Sequence, residues 1–254
     1  MDILLAEFQK FLLVFLRISG IFATCPVFSS PNIPWQVRGG AIFVTSLAAS
    51  PATRFVPTPP DSIIAYGILG VSEFIIGVTI GIFASFIVTL FAISAEFYSV
   101  PMGFAISNVF DPISETEQPV IGQLLGLYGI FIFAVINGPQ IVLYGVIESF
   151  KSVPSLSIAS SNIISSSTVS IYTKMFATAF KIGFPILAVL FLVNLSLGLL
   201  SKAAPLINIM VFGFPITILT GLVALFFLFP YLWNVSVSIF EGMFSDIDKL
   251  IRRL

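Results

Sequence analysis

Residues 203–240 contain no Asp, Glu, Lys or Arg, and neither do 18–37, 74–95, 118–147, 152–173 and 182–201. A helix crossing a bilayer core of about 30 Å takes about 20 residues, so stretches of this length constrain the fold more than any other feature of the chain. The whole sequence has 11 basic and 12 acidic residues, 9% of 254, where soluble domains carry roughly 25% charged residues. So few charges cannot cover a water-facing exterior. The chain is integral to a membrane or buried within a membrane-embedded complex.

The same scarcity removes several kinds of chemistry. There is no His, which excludes a Ser-His-Asp triad, an imidazole metal ligand and an imidazole proton relay within this chain. The single Cys25 cannot form an intrachain disulfide or a cysteine zinc site, and reads as a small apolar side chain near a helix end. A net charge of −1 provides no basic field for nucleic acid. No glycine loop precedes a lysine at phosphate-binding spacing, and the serines have no adjacent base. The acidic trio Asp111, Glu115 and Glu117 has no second ligand set for a metal. No catalytic residue, cofactor site or metal site is expected.

Turn signals divide the chain into about six hydrophobic, Pro/Gly-broken helical segments, roughly 3–24, 37–53, 62–91, 120–149, 171–200 and 206–238. The expected fold is therefore all-α and polytopic. Pro26, Pro31 and Pro34 end the first segment because proline removes a donor and restricts the residue before it. Pro57 to Asp61 ends the second. Nine serines between Ser152 and Ser170, with Pro154, read as a loop, since serine competes for backbone hydrogen bonds. Residues 62–91 would make about 45 Å of helix, more than the hydrocarbon needs, and Pro185, Pro215 and Pro230 interrupt the last two segments. Lipid tolerates broken helices only where protein or water satisfies the freed backbone groups, so close helix packing is expected. From Phe240 to Leu254 apolar residues recur every three or four positions, which marks an amphipathic tail.

With six spans, Lys10, Arg54, Lys151, Lys174, Lys249, Arg252 and Arg253 fall on one side and only Arg38 and Lys202 on the other. The positive-inside rule then places both termini in the cytoplasm. The opening Met1-Asp2, with Glu7 before Lys10, lacks the basic start of a cleavable signal peptide, so the first apolar segment is expected to stay. Ionisable groups inside apolar segments need water or a partner. Arg17, Glu73, Glu96, Lys174 and Lys181 are of this kind. They are read as intramembrane or inter-subunit polar positions, with a proton or ion pathway through Glu73 and Glu96 as the competing reading.

In order along the chain stand Arg17, Gly20, Pro26, Ile33-Pro34 and Arg38, then Glu73-Phe74-Ile75-Ile76-Gly77 with Gly81. Glu96, Met102-Gly103, Asp111-Pro112, Ser114 and Pro119 follow, then Asn137-Gly138, Ser149-Phe150 and Pro154. Last come Pro185-Ile186, Leu197-Gly198-Leu199-Leu200, Pro205, Asn208 and Gly213-Phe214-Pro215. This succession resembles the FliR family of bacterial flagellar protein-export components, which has a homologous family in virulence secretion. Pro101, Pro139-Gln140 and Leu206 depart from the family's usual residues at those positions.

The resemblance implies a non-enzymatic, helical-hairpin export-gate fold. It divides the chain into a FliP-like part over 1–150, a FliQ-like part over 151–239 and the tail over 240–254. It implies a pore formed with FliP-like and FliQ-like subunits and joined by an FlhB-like subunit, set in the lipid bilayer of the bacterial inner membrane at the flagellar basal body. The pore passes exported, unfolded flagellar proteins. It further implies a plug in the central loop, carried here by Gly103, Phe104, Phe110, Asp111, Pro112, Ser114, Glu115, Glu117 and Pro119. The competing expectations are the homologous gate subunit of a virulence injectisome and a small-solute secondary transporter. A transporter would show an inverted repeat and a midplane site, and the sequence displays neither.

Overall fold

The computed structural model describes residues 2–30, 32–52, 62–104, 119–152, 161–204 and 209–253, and all regular structure among them is helical. The helices are α1 (Asp2–Thr24), α2 (Pro26–Ser29), α3 (Trp35–Ala49), α4 (Ile63–Met102), α5 (Val120–Val135), α6 (Gly138–Ser152), α7 (Ser161–Ala203) and α8 (Ile209–Arg253), with a 3₁₀ turn at Ser50–Ala52. Each of the six expected segments lies mainly within helix.

Four boundaries differ from the expectation, each for a local reason. The third segment continues past 91 to Met102, because beyond 91 no glycine or proline interrupts it before Pro101 and Gly103. The fourth segment is broken in two: Asn137 takes a left-handed conformation with φ of 58°, which Asn tolerates better than most residues. The pieces on either side of it are bent by 64°. Pro139 then falls in the first turn of α6, where its missing N–H would be unpaired in any case. In the serine-rich stretch read as a loop, 161–170 belong to α7. Once nucleated, a long helix propagates through residues of middling propensity. Finally, the sixth segment and the tail form one helix, α8, of 45 residues. Pro57 to Asp61, Pro154, Pro205 and Asn208 lie outside the described residues.

Among the described residues, three helical stretches are long and apolar enough to cross a membrane: Ile63–Phe86, Tyr172–Ala203 and Val211–Ile239. Counting the bent pair α5–α6 as one broken span makes four. The chain is thus a multi-span membrane protein, but the six-span count is replaced by three or four, because α3 has only 15 residues and α1 carries Glu7, Lys10 and Arg17 close together. The parity that placed both termini in the cytoplasm loses its basis. At about 1.5 Å per residue, the 40, 43 and 45 residues of α4, α7 and α8 are each about twice the hydrocarbon thickness.

The chain packs as two compact units. The first comprises Met1–Ile87, Phe133–Tyr172 and Glu241–Leu254; the second comprises Val88–Ile132 and Thr173–Phe240. In the first unit α1 and α4 run parallel, since Tyr66 donates to Gln9 O (2.9 Å) and Thr24 to Val78 O (3.2 Å). The intervening α2–α3 segment carries the chain back. Phe28 of α2 stacks on Phe22 at 4.3 Å and Phe43 of α3 meets Phe11 edge-on at 5.6 Å. Backbones approach closely along the α1–α4 seam: a Cβ on Gly77 would collide with Arg17 O, and one on Gly20 with Phe74 O.

In the second unit α5 lies antiparallel to the later half of α4. Gly129 faces Val88, Gly126 faces Ala92, and Gly122 faces Ala92 and Glu96. On another side of α4, α7 runs parallel to it, with Gly183 against Ser94 O and Asn194 bonded to Pro101 O. Gly183 again permits the approach, a Cβ there meeting that oxygen at 2.7 Å. The remaining partner, α8, runs antiparallel to α4. Its Thr217 reaches Met102, and its Ser236 shares a 3.3 Å hydrogen bond with Tyr128, whose ring packs on Phe91.

Candidate functional site

Arg17 occupies the centre of the first unit with its side chain fully buried. Its Nε donates to Glu73 Oε2 at 2.5 Å, its Nη1 donates to Ser149 Oγ at 2.8 Å, and its guanidinium carbon lies 3.8 Å from the centroid of the Phe150 ring. Three chain segments thus converge on one cation: α1 supplies Arg17, α4 supplies Glu73, and the last turn of α6 supplies Ser149 and Phe150. Glu73 and Gly77 stand four residues apart on one face of α4. Gly77 lets α1 close on α4 at the place where Glu73 reaches the guanidinium. Ser149 passes its own proton back to Val146 O at 2.6 Å, leaving its lone pair for Arg17. Two buried atoms, Arg17 Nη2 and Glu73 Oε1, have no partner. An open, largely apolar cavity of about 280 Å³ lies in the same unit, where Ile18 and Ala49 face Leu143, Tyr144 and Val146.

Of the polar positions expected from the sequence, Arg17 and Glu73 pair with each other within the chain. Glu96, Lys174 and Lys181 are exposed. A second ion pair, the exposed Glu7–Lys10 contact at 3.0 Å, lies on the surface of α1. Ser149 and Phe150 were visible in the sequence as a dipeptide of the family pattern, but their convergence on Arg17 was not. The only signal for it was an isolated arginine in an apolar helix, which requires partners from somewhere.

The plug residues Phe110, Asp111, Pro112, Ser114, Glu115 and Glu117 lie outside the described residues, while Gly103, Phe104 and Pro119 lie within them. Gly103 has φ of 99°, a conformation that glycine adopts without a Cβ penalty. Phe104 N–H donates to Ser99 O (3.1 Å) and Gly103 N–H to Val100 O (2.9 Å). This pair of bonds is a Schellman motif, the usual way a helix ends on a left-handed glycine. The next two carbonyls are satisfied from other helices: Asn194 Nδ2 donates to Pro101 O at 3.2 Å and Thr217 Oγ1 to Met102 O at 3.0 Å. All four terminal carbonyls of α4, the ones a helix leaves without intrahelical partners, therefore have donors. Neither Asn194 nor Thr217 stood out in the sequence, because neither sits in a recognisable motif. Among the described residues no group of three or more His, Cys, Asp or Glu side chains could hold a metal ion.

Comparison with known proteins matches residues 8–243 to the model of the family described as bacterial export proteins, family 1. The chain is 30% identical to the flagellar biosynthetic protein FliR of Bacillus subtilis (strain 168), over 99% of this chain and 98% of that one. It is 27% identical to the FliR of Pectobacterium carotovorum subsp. carotovorum, over 97% and 94% of the two chains, and 24% identical to that of Escherichia coli (strain K12), over 94% and 91%.

Proposed function

The chain belongs to the FliR family, bacterial export proteins of family 1, and on that premise we propose that it is a structural, non-enzymatic subunit of the flagellar type III export gate. In this reading it builds a pore in the bacterial inner membrane, at the flagellar basal body, together with FliP-like and FliQ-like subunits. An FlhB-like subunit joins them, and unfolded flagellar proteins pass through. The observation that carries the reading is similarity along nearly the whole chain to proteins named for flagellar biosynthesis. The same names favour the flagellar branch over an injectisome. Residues 1–150 correspond to a FliP-like part and 151–239 to a FliQ-like part.

Two features fit a subunit that works among others. Large apolar side chains are exposed along α7 and α8, among them Phe176, Phe184, Phe191, Phe212, Phe226 and Phe227. The helices also exceed what a bilayer alone would cover. Glu96 and Lys181 are exposed next to Phe97 and Phe180, whose rings meet edge-on at 5.4 Å. In the assembly these charges, with Lys174, meet groups of neighbouring subunits. Residues 104–118 act as the plug, rooted at Gly103 and re-entering helix after Pro119.

Co-purification in mild detergent tests the assembly: a stable complex with the FliP-like and FliQ-like proteins is expected. A chain that is stable and transport-active alone would overturn it. Deleting 104–118 tests the plug, with a rise in ion conductance of the assembled complex as the expected result.

A further inference from the structure

We propose that Asn194 and Thr217 are positioning residues that hold the end of α4, and with it the point from which the chain leaves for residues 105–118. The proposal rests on the plug reading and deepens it: the plug's root is not free but latched to α7 and α8.

The latch is built from described residues of one compact unit. Met102 is fully buried and Thr217 nearly so. Phe214, Thr217 and Gly221 lie at three- and four-residue intervals on one face of α8, and all three bear on the end of α4. Gly103 presents its missing Cβ to the Phe214 ring, whose Cδ1 would lie 3.0 Å from such an atom. A Cβ on Gly221 would meet Met102 Cε at 2.5 Å and its Cγ and Sδ at 2.7 Å. The Met102 side chain is thereby wedged against the backbone of α8. On the other flank Asn194, from α7, holds Pro101 O.

The hydroxyl of Thr217 gives this latch two arrangements. It lies 3.0 Å from Met102 O and 3.1 Å from Phe214 O, but a threonine has one proton to donate. When the proton turns to Phe214, Thr217 remains bonded and Met102 O loses its donor. α8 can therefore release the end of α4 without losing a hydrogen bond of its own, which suits a contact that must hold a pore shut and still yield. The Schellman turn of 99–104 is unaffected in either arrangement, so the root moves as a unit.

The test uses the full chain co-expressed with its FliP-like and FliQ-like partners, purified as a complex and reconstituted in vesicles for ion-conductance measurement. Thr217→Val keeps the shape and removes the proton. It is expected to leave complex yield unchanged and to raise resting conductance about fivefold to tenfold, the population factor of one buried hydrogen bond. Thr217→Ser is expected to restore a tight pore. Asn194→Ala, at an exposed side chain, is expected to raise conductance in the same direction. The deletion of 104–118 is the comparator. If the deletion leaks and both point variants stay tight, the latch is overturned and the plug stands. If the deletion does not leak, the plug reading falls and the latch with it. If both variants lower complex yield without changing conductance per complex, the two residues are merely structural and the proposal fails.

Discussion

Removing Glu73 should damage this protein more than removing Arg17, and removing both should damage it least. At 2.5 Å between Nε and Oε2, the pair attracts with about 6–7 kcal/mol at an effective dielectric of about 20. Much of that is cancelled by taking two ions out of water, and the two unpaired atoms, Arg17 Nη2 and Glu73 Oε1, leave the cancellation incomplete. Glu73→Leu strands the guanidinium with a serine hydroxyl and a phenyl ring. These contribute roughly 1.5–3 and about 2 kcal/mol but carry no countercharge. Breaking a buried pair from one side costs about 3–5 kcal/mol, a large part of the 5–15 kcal/mol by which folded domains are typically stable. Arg17→Met is milder, because a carboxyl left alone can take up a proton whereas a guanidinium stays charged. The double variant Arg17→Met, Glu73→Leu leaves no ion to desolvate, and such replacements are often neutral or stabilising.

Denaturant unfolding of the purified protein in detergent, followed by helical circular dichroism, gives the four midpoints of the cycle. The expected order of stability is wild type and double variant together, then Arg17→Met, then Glu73→Leu. A double variant as unstable as the two single losses added together would show that the charges act independently, and would refute the account of Arg17 as the cation on which α1, α4 and α6 converge.

Gly77→Ala should destabilise by more than the usual 1–3 kcal/mol of overpacking, because the obstacle is the rigid carbonyl of Arg17. Gly198→Ala, with open space around the added carbon, should gain about 0.5–1 kcal/mol of helix stability in the isolated chain; thermal midpoints of both variants in detergent decide it. Asn137→Gly should be close to neutral, whereas Asn137→Val should lose at least about 1 kcal/mol at a left-handed position, measured in the same way. Cys25 is fully buried, and burial pushes its thiol from an ordinary 9 up to about 11, against weaker pulls from backbone bonds with Val27 and Phe28. Between pH 7 and 9 a maleimide should label it only after unfolding, as followed by mass. As pH rises from about 9 to 11 the unfolded thiol ionises before the folded one, so this group should favour unfolding there.

The sequence located the helices well because its charge-free runs and its prolines answer to one physical demand, the cost of exposing polar groups to lipid. It could not separate α5 from α6, since Asn137-Gly138 signals a turn only when the backbone adopts a left-handed angle. It also misjudged 161–170, where serine composition argued for a loop and helix propagation prevailed. Arg17 and Glu73 were legible as residues needing partners, but not as partners of each other. Their meeting depends on α1 and α4 running parallel, and that direction is set by a return through α2 and α3 that no local pattern encodes. The donors to the end of α4 were least legible of all. A threonine and an asparagine in apolar helices look alike whether they bond to their own helix or to another.

The two acidic residues singled out within apolar helix have opposite fates, and the difference narrows what each can do. Glu73 is enclosed with a guanidinium and bound into the packing of three helices, so the carboxylate is committed to holding the first unit together. A mobile proton would need further acceptors in reach. Its neighbours there are a hydroxyl already donating to Val146 O and an aromatic ring. Glu96 keeps its side chain exposed at the border of the glycine seam between α4 and α5, where a Cβ on Gly122 would lie 3.7 Å from its Oε1. A carboxylate on an apolar surface is costly to leave facing lipid, and the cost is relieved when a neighbouring subunit or a water-filled passage faces it. The sparse charge of this chain is thus divided between internal cohesion and a surface completed by others, a division consistent with a subunit built for assembly.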